Sequence, residues 1–219
     1  MSRTGASLAS AGVALLVTAL LFPFYWTLVS SLAPEASLFA GPSVLPREIG
    51  LEHYRALLAE GTFLEALGNS LIVAGATTLL CLTVGTLCAY ALARLQFRGK
   101  SPLLATVLAV SMFPQISIVS PLYLVLRELG QIDTRPGLVL PYLTFAMPLT
   151  IWLLVGFFRQ LPRELEEAAM VDGASRLQAL RYVVLPLALP GLATTAILTF
   201  IYCWNEFLFA LSFTTRPQS

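Results

Sequence analysis

Charge is scarce in this sequence. Of 219 residues, 11% are charged and 57% belong to the hydrophobic set, whereas soluble domains carry about 25% charged residues. A water-soluble globule of this length cannot bury so much apolar surface. The shortage therefore excludes a soluble domain and indicates a polytopic membrane protein. It should be all-α, because lipid satisfies no backbone hydrogen bond. The net charge of +1 excludes a strongly basic nucleic-acid binder, so no nucleic acid is expected as a partner. The one histidine, His53, has no Cys, Asp or second His spaced to join it at a metal, and it reads as a solvated loop residue. The three cysteines, Cys81, Cys88 and Cys203, lack CxxC spacing and read as small buried hydrophobes. No metal ligand is expected.

The places where charge is missing define the organisation. Charge-free runs cover residues 4–34, 66–93, 101–126, 136–158 and 182–205. Each exceeds the ~20 residues that cross the hydrocarbon core. Five spans are expected, at 8–32, 66–93, 101–126, 136–158 and 187–211, within one transmembrane domain over 1–219. An outer loop takes 33–65 and a longer connection takes 159–186. The first run is about twice the length of a signal-peptide core. Despite Ser31-Leu32-Ala33, a passable cleavage site, it reads as an uncleaved helix kinked at Pro23. Residues 51–60 read as a short amphipathic helix with Tyr54, Leu57 and Leu58 on one side. With the N-terminus inside, the cytoplasmic connections carry eight basic residues and the outer ones five, which favours that orientation.

Chemistry is missing too. Spans two to four hold no Asp, Glu, His, Lys or Arg. This disfavours a proton-coupled carrier, an intramembrane metalloprotease and a serine protease, which needs a base. No catalytic residue is expected. Gly99-Lys100-Ser101 ends like a phosphate-binding loop, but that motif needs Gly at position 94, where Arg94 stands. The chain shows no phosphate-binding loop of its own.

What is present concentrates in 159–186. Pro162 suits the first turn of a helix. Glu164, Glu166 and Glu167 crowd its positive end. Leu165, Ala168, Ala169 and Val171 give it an apolar side, and Gly173 stops it. Ser175 and Gln178 form a capping box for a second helix, with Leu177, Leu180 and Val184 at helical spacing. Leu185-Pro186 and Pro190-Gly191 are expected to break that helix before the last span. Ala168, Ala169 and Gly173 would let another backbone approach closely. From the residues alone the product is either a docking knob or an amphipathic hairpin lying on the membrane or on its own bundle.

Glu167-Ala168-Ala169, then Gly173, then Val183 and Leu185-Pro186, resemble the EAA motif of ABC-importer permeases, which usually carry Ile where Val183 stands. Asp172-Gly173-Ala174 fits the same motif. Met112-Phe113-Pro114, Pro121-Leu122-Tyr123, Asp133-Thr134, Gly137-Leu138, Pro141-Tyr142, Trp204-Asn205-Glu206-Phe207 and Ala210-Leu211 resemble carbohydrate-importer permeases of the MalG type. The likeness is greatest to the trehalose/maltose uptake branch. It implies a type I ABC importer transmembrane domain, a MetI/MalG-like helical bundle in a bacterial inner membrane. Five of the family's spans are present, and its sixth is absent from the sequence ending at Ser219.

The resemblance also implies partners: a second homologous permease, two ATP-binding cassette ATPase subunits, an extracytoplasmic sugar-binding protein and membrane lipid. No cofactor is implied in this chain, since ATP and Mg would sit in the ATPase. The implied coupling residues are Glu167, Ala168, Ala169, Asp172, Gly173, Leu185 and Pro186. The implied cargo is a di- or oligosaccharide such as trehalose or maltose. Gln115, Ser117, Tyr123 and Asn205 are the substrate-path candidates, with interhelical hydrogen bonding as the alternative. Gln115 stands out because Pro114 and Pro121 suggest a broken helix, which is tolerated at depth only inside protein or beside a wet cavity. The rival reading is a membrane scaffold that recruits a cytoplasmic partner without moving solute.

Overall fold

The computed structural model describes residues 3–34 and 49–214. The Pro- and Gly-rich stretch at 35–48 and the tail at 215–219 lie outside the described residues. Among the described residues every regular element is helical, as a lipid solvent demands. The chain divides into two units, Met1–Glu65 and Ala66–Ser219.

In the first unit, helix α1 spans Arg3–Leu32 and helix α2 spans Glu52–Ala59. Helix α1 continues through Pro23 without ending there. Leu15, Leu16, Leu20 and Phe24 are all exposed although they point to different sides of the helix. A helix that is apolar all round is suited to lipid, not water. Helix α2 matches the short helix expected at 51–60. The Tyr54 hydroxyl lies 2.7 Å from Ser31 Oγ. His53 is on this helix, not in a loop, and its Nε2 lies 3.2 Å from the Ala33 carbonyl.

The remaining elements are α3 (Thr62–Arg94), α4 (Lys100–Ser111), α5 (Ile116–Glu128), α6 (Arg135–Gln160), α7 (Glu164–Val171), α8 (Arg176–Ala179), a π-helical turn (Leu180–Val184), α9 (Leu185–Trp204) and α10 (Leu208–Phe213). Four helical stretches are long and apolar enough to cross a membrane: Ser10–Leu32, Thr62–Arg94, Arg135–Gln160 and Arg176–Trp204. The pair α4–α5 makes a fifth if counted as one span.

One expectation holds here and two change. The run at 101–126 is broken, as Pro114 and Pro121 suggested, into two helices bent by 92° across residues 112–115, and Pro121 lies inside the second. The last turn of α4 tightens, with Met112 and Phe113 N–H bonding three residues back to Ala109 and Val110, and Pro114 offers no N–H to resume the ladder. The break expected at Leu185-Pro186 and Pro190-Gly191 does not occur. The π turn carries the Leu185 N–H to the Leu180 carbonyl, five residues back. It widens the backbone where the Pro186 ring would otherwise press on the preceding turn. The last span, expected at 187–211, ends at Trp204 and resumes as the separate α10. In addition, α3 begins at Thr62, inside the expected loop at 33–65, and Pro162 precedes α7 instead of lying in its first turn.

Helix α6 is central to the second unit. Thr134 caps it by accepting the Gly137 N–H at 3.1 Å, and Pro136 fits the first turn, where its missing N–H costs nothing. A side chain at Gly137 would collide with the Gln131 carbonyl, 2.0 Å from the Cβ position. Two buried clusters share α3 and α6. One holds Tyr90, Leu154 and Phe158 with Leu180 and Val184; the other holds Cys81, Phe145 and Cys203 with Phe209 and Phe213. Thr150 and Thr199 hydroxyls meet at 2.9 Å between α6 and α9. Cys81 and Cys203 are buried as expected, but Cys88 is exposed, on a helix whose outer face is apolar.

Candidate functional site: a helical hairpin between two spans

The hairpin is built by local rules. Helix α7 ends where Gly173 adopts φ +91°, a left-handed conformation that a side chain disfavours. The Ala174 N–H bonds to the Ala169 carbonyl at 3.0 Å and the Gly173 N–H to the Met170 carbonyl at 3.1 Å. That pairing satisfies carbonyls the helix end would leave free. Two residues on, Ser175 accepts the Gln178 N–H, and the Gln178 side chain accepts the Ser175 N–H at 2.7 Å. The capping box is complete and starts α8 immediately. Gly173 and the box together fix a tight corner.

The corner presents what the sequence singled out. Glu167, Ala168, Asp172 and Gly173 are exposed, and Ala169 is half-buried. Val171 is 87% exposed and Leu177 67%. The expected apolar side of α7 is thus open, not folded onto the bundle. Leu185 and Pro186 do not join this corner. They begin α9, beyond α8 and the π turn, where Leu185 packs against the core around Tyr90 and Phe158.

Sequence reasoning missed what holds the hairpin. Glu166 is the buried residue of α7. Its Oε2 lies 3.3 Å from Arg94 Nε, with the two side chains 6% and 3% exposed. The pair is close, but the Nε–H is not aligned for a hydrogen bond. Arg94 Nη2 also donates to the Leu161 carbonyl at 3.0 Å. The Tyr90 hydroxyl donates to Glu166 Oε1 and makes a longer contact, 3.4 Å, to the Arg176 carbonyl. The Tyr90 ring stands edge-on to Phe158, 86° between planes. One signal was available: Tyr90 and Arg94, four residues apart at the end of an apolar span, share a helix face. Helix-dipole reasoning groups Glu166 with Glu164 and Glu167. Burial separates it from them.

The path candidates are dispersed. Gln115, at the α4–α5 bend, donates through Nε2 to the Tyr202 hydroxyl at 2.8 Å. Ser117 is exposed. Tyr123 packs on Phe213, ring centroids 6.3 Å apart. Asn205 turns back to the Ile201 carbonyl at 2.8 Å. Glu206 accepts the Phe209 N–H at 3.1 and 3.2 Å, so it caps α10.

Residues 81–218 match the family described as the binding-protein-dependent transport system inner membrane component. The chain belongs to this family. It is an ABC-importer inner-membrane permease, a transport subunit and not an enzyme. It is 45% identical over 199 residues to the trehalose transport system permease protein SugB of Mycobacterium tuberculosis, covering 91% of this chain and 72% of that one. It is 42% identical over 210 residues to the trehalose/maltose transport system permease protein MalG of Thermococcus litoralis, covering 95% and 75%. The permease superposes on a bacterial ABC transporter involved in import of the acidic polysaccharide alginate, with TM-score 0.83 and 26% identity over 99% of this chain and 77% of that one. The MetI-like helical bundle expected from the motifs is the fold observed.

Proposed function

We propose that this permease imports a di- or oligosaccharide of the trehalose or maltose kind, driven by ATP hydrolysis in partner subunits. The supporting observation is the hairpin at α7–α8. It offers Glu167, Ala168, Asp172 and Gly173 to a partner while its base is fastened to α3 through Glu166. The names and identities of the relatives support the sugar class. The excess of basic residues on the 94–100 and 159–181 connections supports an N-terminus in the cytoplasm, with the hairpin on that side.

On this reading one copy pairs with a second, related permease and encloses a path between them. Two ATPase subunits, which hold the ATP and Mg, receive the coupling hairpins, and an extracytoplasmic binding protein delivers sugar. Closure of the ATPase pair moves each hairpin, and the bundles rock between inward- and outward-facing states. The energy enters as a difference in affinity for two conformations, not as chemistry in this chain. Glu167 supports the start of α7 or pairs with a basic group on the ATPase, and Gly173 shapes the corner. Gln115 and Tyr202, joined beside the α4–α5 bend, lead the path candidates, ahead of Ser117, Tyr123 and Asn205.

The test is uptake of radiolabelled trehalose by the complex reconstituted in vesicles, with maltodextrins as competitors. ATP-dependent accumulation that also requires the binding protein is expected. A correctly assembled complex that accumulates none of these sugars would refute the cargo assignment. Failure of a cysteine at Ala168 to crosslink to the ATPase would refute the coupling assignment.

A further inference from the structure

We propose that Tyr90, Arg94 and Glu166 are positioning residues that carry displacement of the hairpin into the membrane span α3. This inference rests on the coupling role proposed for the hairpin.

Among the described residues, Glu166 is the buried residue of α7, so a carboxylate supplies this helix's buried anchor. Leu165 is 45% exposed and Val171 87%, so neither gives α7 a firm apolar footing. The hairpin is joined through the chain to α6 and α9 but not to α3. Yet one turn of α3 reaches it at three points. Arg94 holds the Leu161 carbonyl just ahead of α7. Arg94 and Tyr90 together hold Glu166 within it. Tyr90 contacts the Arg176 carbonyl just after the corner.

Apolar contacts slide, whereas a buried charge held by directional partners does not. If α7 shifted by an ångström relative to α3, it would strand the Glu166 carboxylate in a site with almost no water. The last turn of α3 and the base of α7 therefore move as one body. Rigid chain connections take motion only to α6 and α9. Helix α3 packs on Leu180 and Val184 by apolar contact, and the three side chains add directional, non-covalent links to the hairpin.

Deleting one charge would strand the other, so the informative variant removes both. Arg94→Met with Glu166→Leu replaces the pair by apolar groups, a change that folds generally tolerate. The complex with its ATPase and binding-protein partners is reconstituted, and sugar imported per ATP hydrolysed is measured. Crosslinking from Ala168→Cys to the ATPase is read alongside. Expected for the double variant are wild-type crosslinking and ATP hydrolysis, with sugar per ATP lowered about tenfold, within the usual range of coupling between sites. Wild-type sugar per ATP overturns the proposal. So does loss of the crosslink in the variant alone, since the three residues would then merely shape the hairpin. Absence of the crosslink with wild-type Glu166 and Arg94 instead refutes the coupling role itself. Should the double variant fail to assemble, Glu166→Gln and Tyr90→Phe decide by the same ratio: a lowered value supports the linkage and an unchanged one overturns it.

Discussion

Adding a single methyl group at Gly191 tests how tightly α6 and α9 are packed. A Cβ there would lie 2.6, 2.7 and 3.0 Å from Cγ, Cδ1 and Cβ of Phe157. Favourable carbon contacts need about 3.5–4.0 Å. Rotating the Phe157 side chain about Cα–Cβ moves Cγ and Cδ1 away but not Cβ, which is fixed to its backbone. The helices must separate. Overpacking of this kind costs about 1–3 kcal/mol, against about 0.5–1 kcal/mol gained when alanine replaces glycine in a helix. Gly156 provides the control. It neighbours Phe157 on α6, and nothing lies within 4 Å of its Cβ position. The backbone gain is common to Gly156→Ala and Gly191→Ala, so the difference between them isolates the clash. Gly191→Ala should be less stable than Gly156→Ala by about 1–3 kcal/mol. Unfolding in mixed detergent–SDS micelles measures this, with Trp152 on α6 and Trp204 on α9 as fluorescent reporters. Equal stability of the two variants would refute the close approach.

Gly173→Asp places a side chain at φ +91°, a penalty of about 1–2 kcal/mol in left-handed geometry. Membrane insertion should survive while co-purification of the ATPase falls; normal transport-coupled hydrolysis would contradict this. Glu206→Ala removes the cap on the Phe209 N–H, worth about 0.5–2 kcal/mol, so amide exchange in α10 should quicken. Unchanged exchange would dismiss the cap. Thr150→Val breaks the bond to Thr199 and should cost about 0.6 kcal/mol, and no more than ~1.7, in mixed micelles.

The parts of the hairpin that depend on neighbours in sequence were legible. Gly173 met a backbone demand that glycine answers, and Ser175 and Gln178 cap each other across three residues. The clamp was not legible, because Arg94 and Glu166 lie far apart in the chain and each has an innocent local explanation. Proline misled in one direction. In water Pro186 and Pro190 would signal a helix end, yet α1, α5, α6 and α9 all continue through prolines. Breaking a helix in lipid exposes backbone groups at several kcal/mol each, so the ladder bends or widens before it ends. Pro114 does lie at a break, and the Gln115 side chain there finds the Tyr202 hydroxyl. Cys88 departs from the burial expected of it, because where lipid is the solvent a small thiol gains nothing by hiding.

The π-helical turn at Leu180–Val184 has its own consequence. Such a turn stores one spare residue without rotating the helices on either side. Within α9, deleting a residue ahead of Thr199 would swing every later side chain by about 100° around the axis and pull Thr199 away from Thr150. Deleting one within 180–184 would keep that register and would instead press the Pro186 ring on the preceding turn.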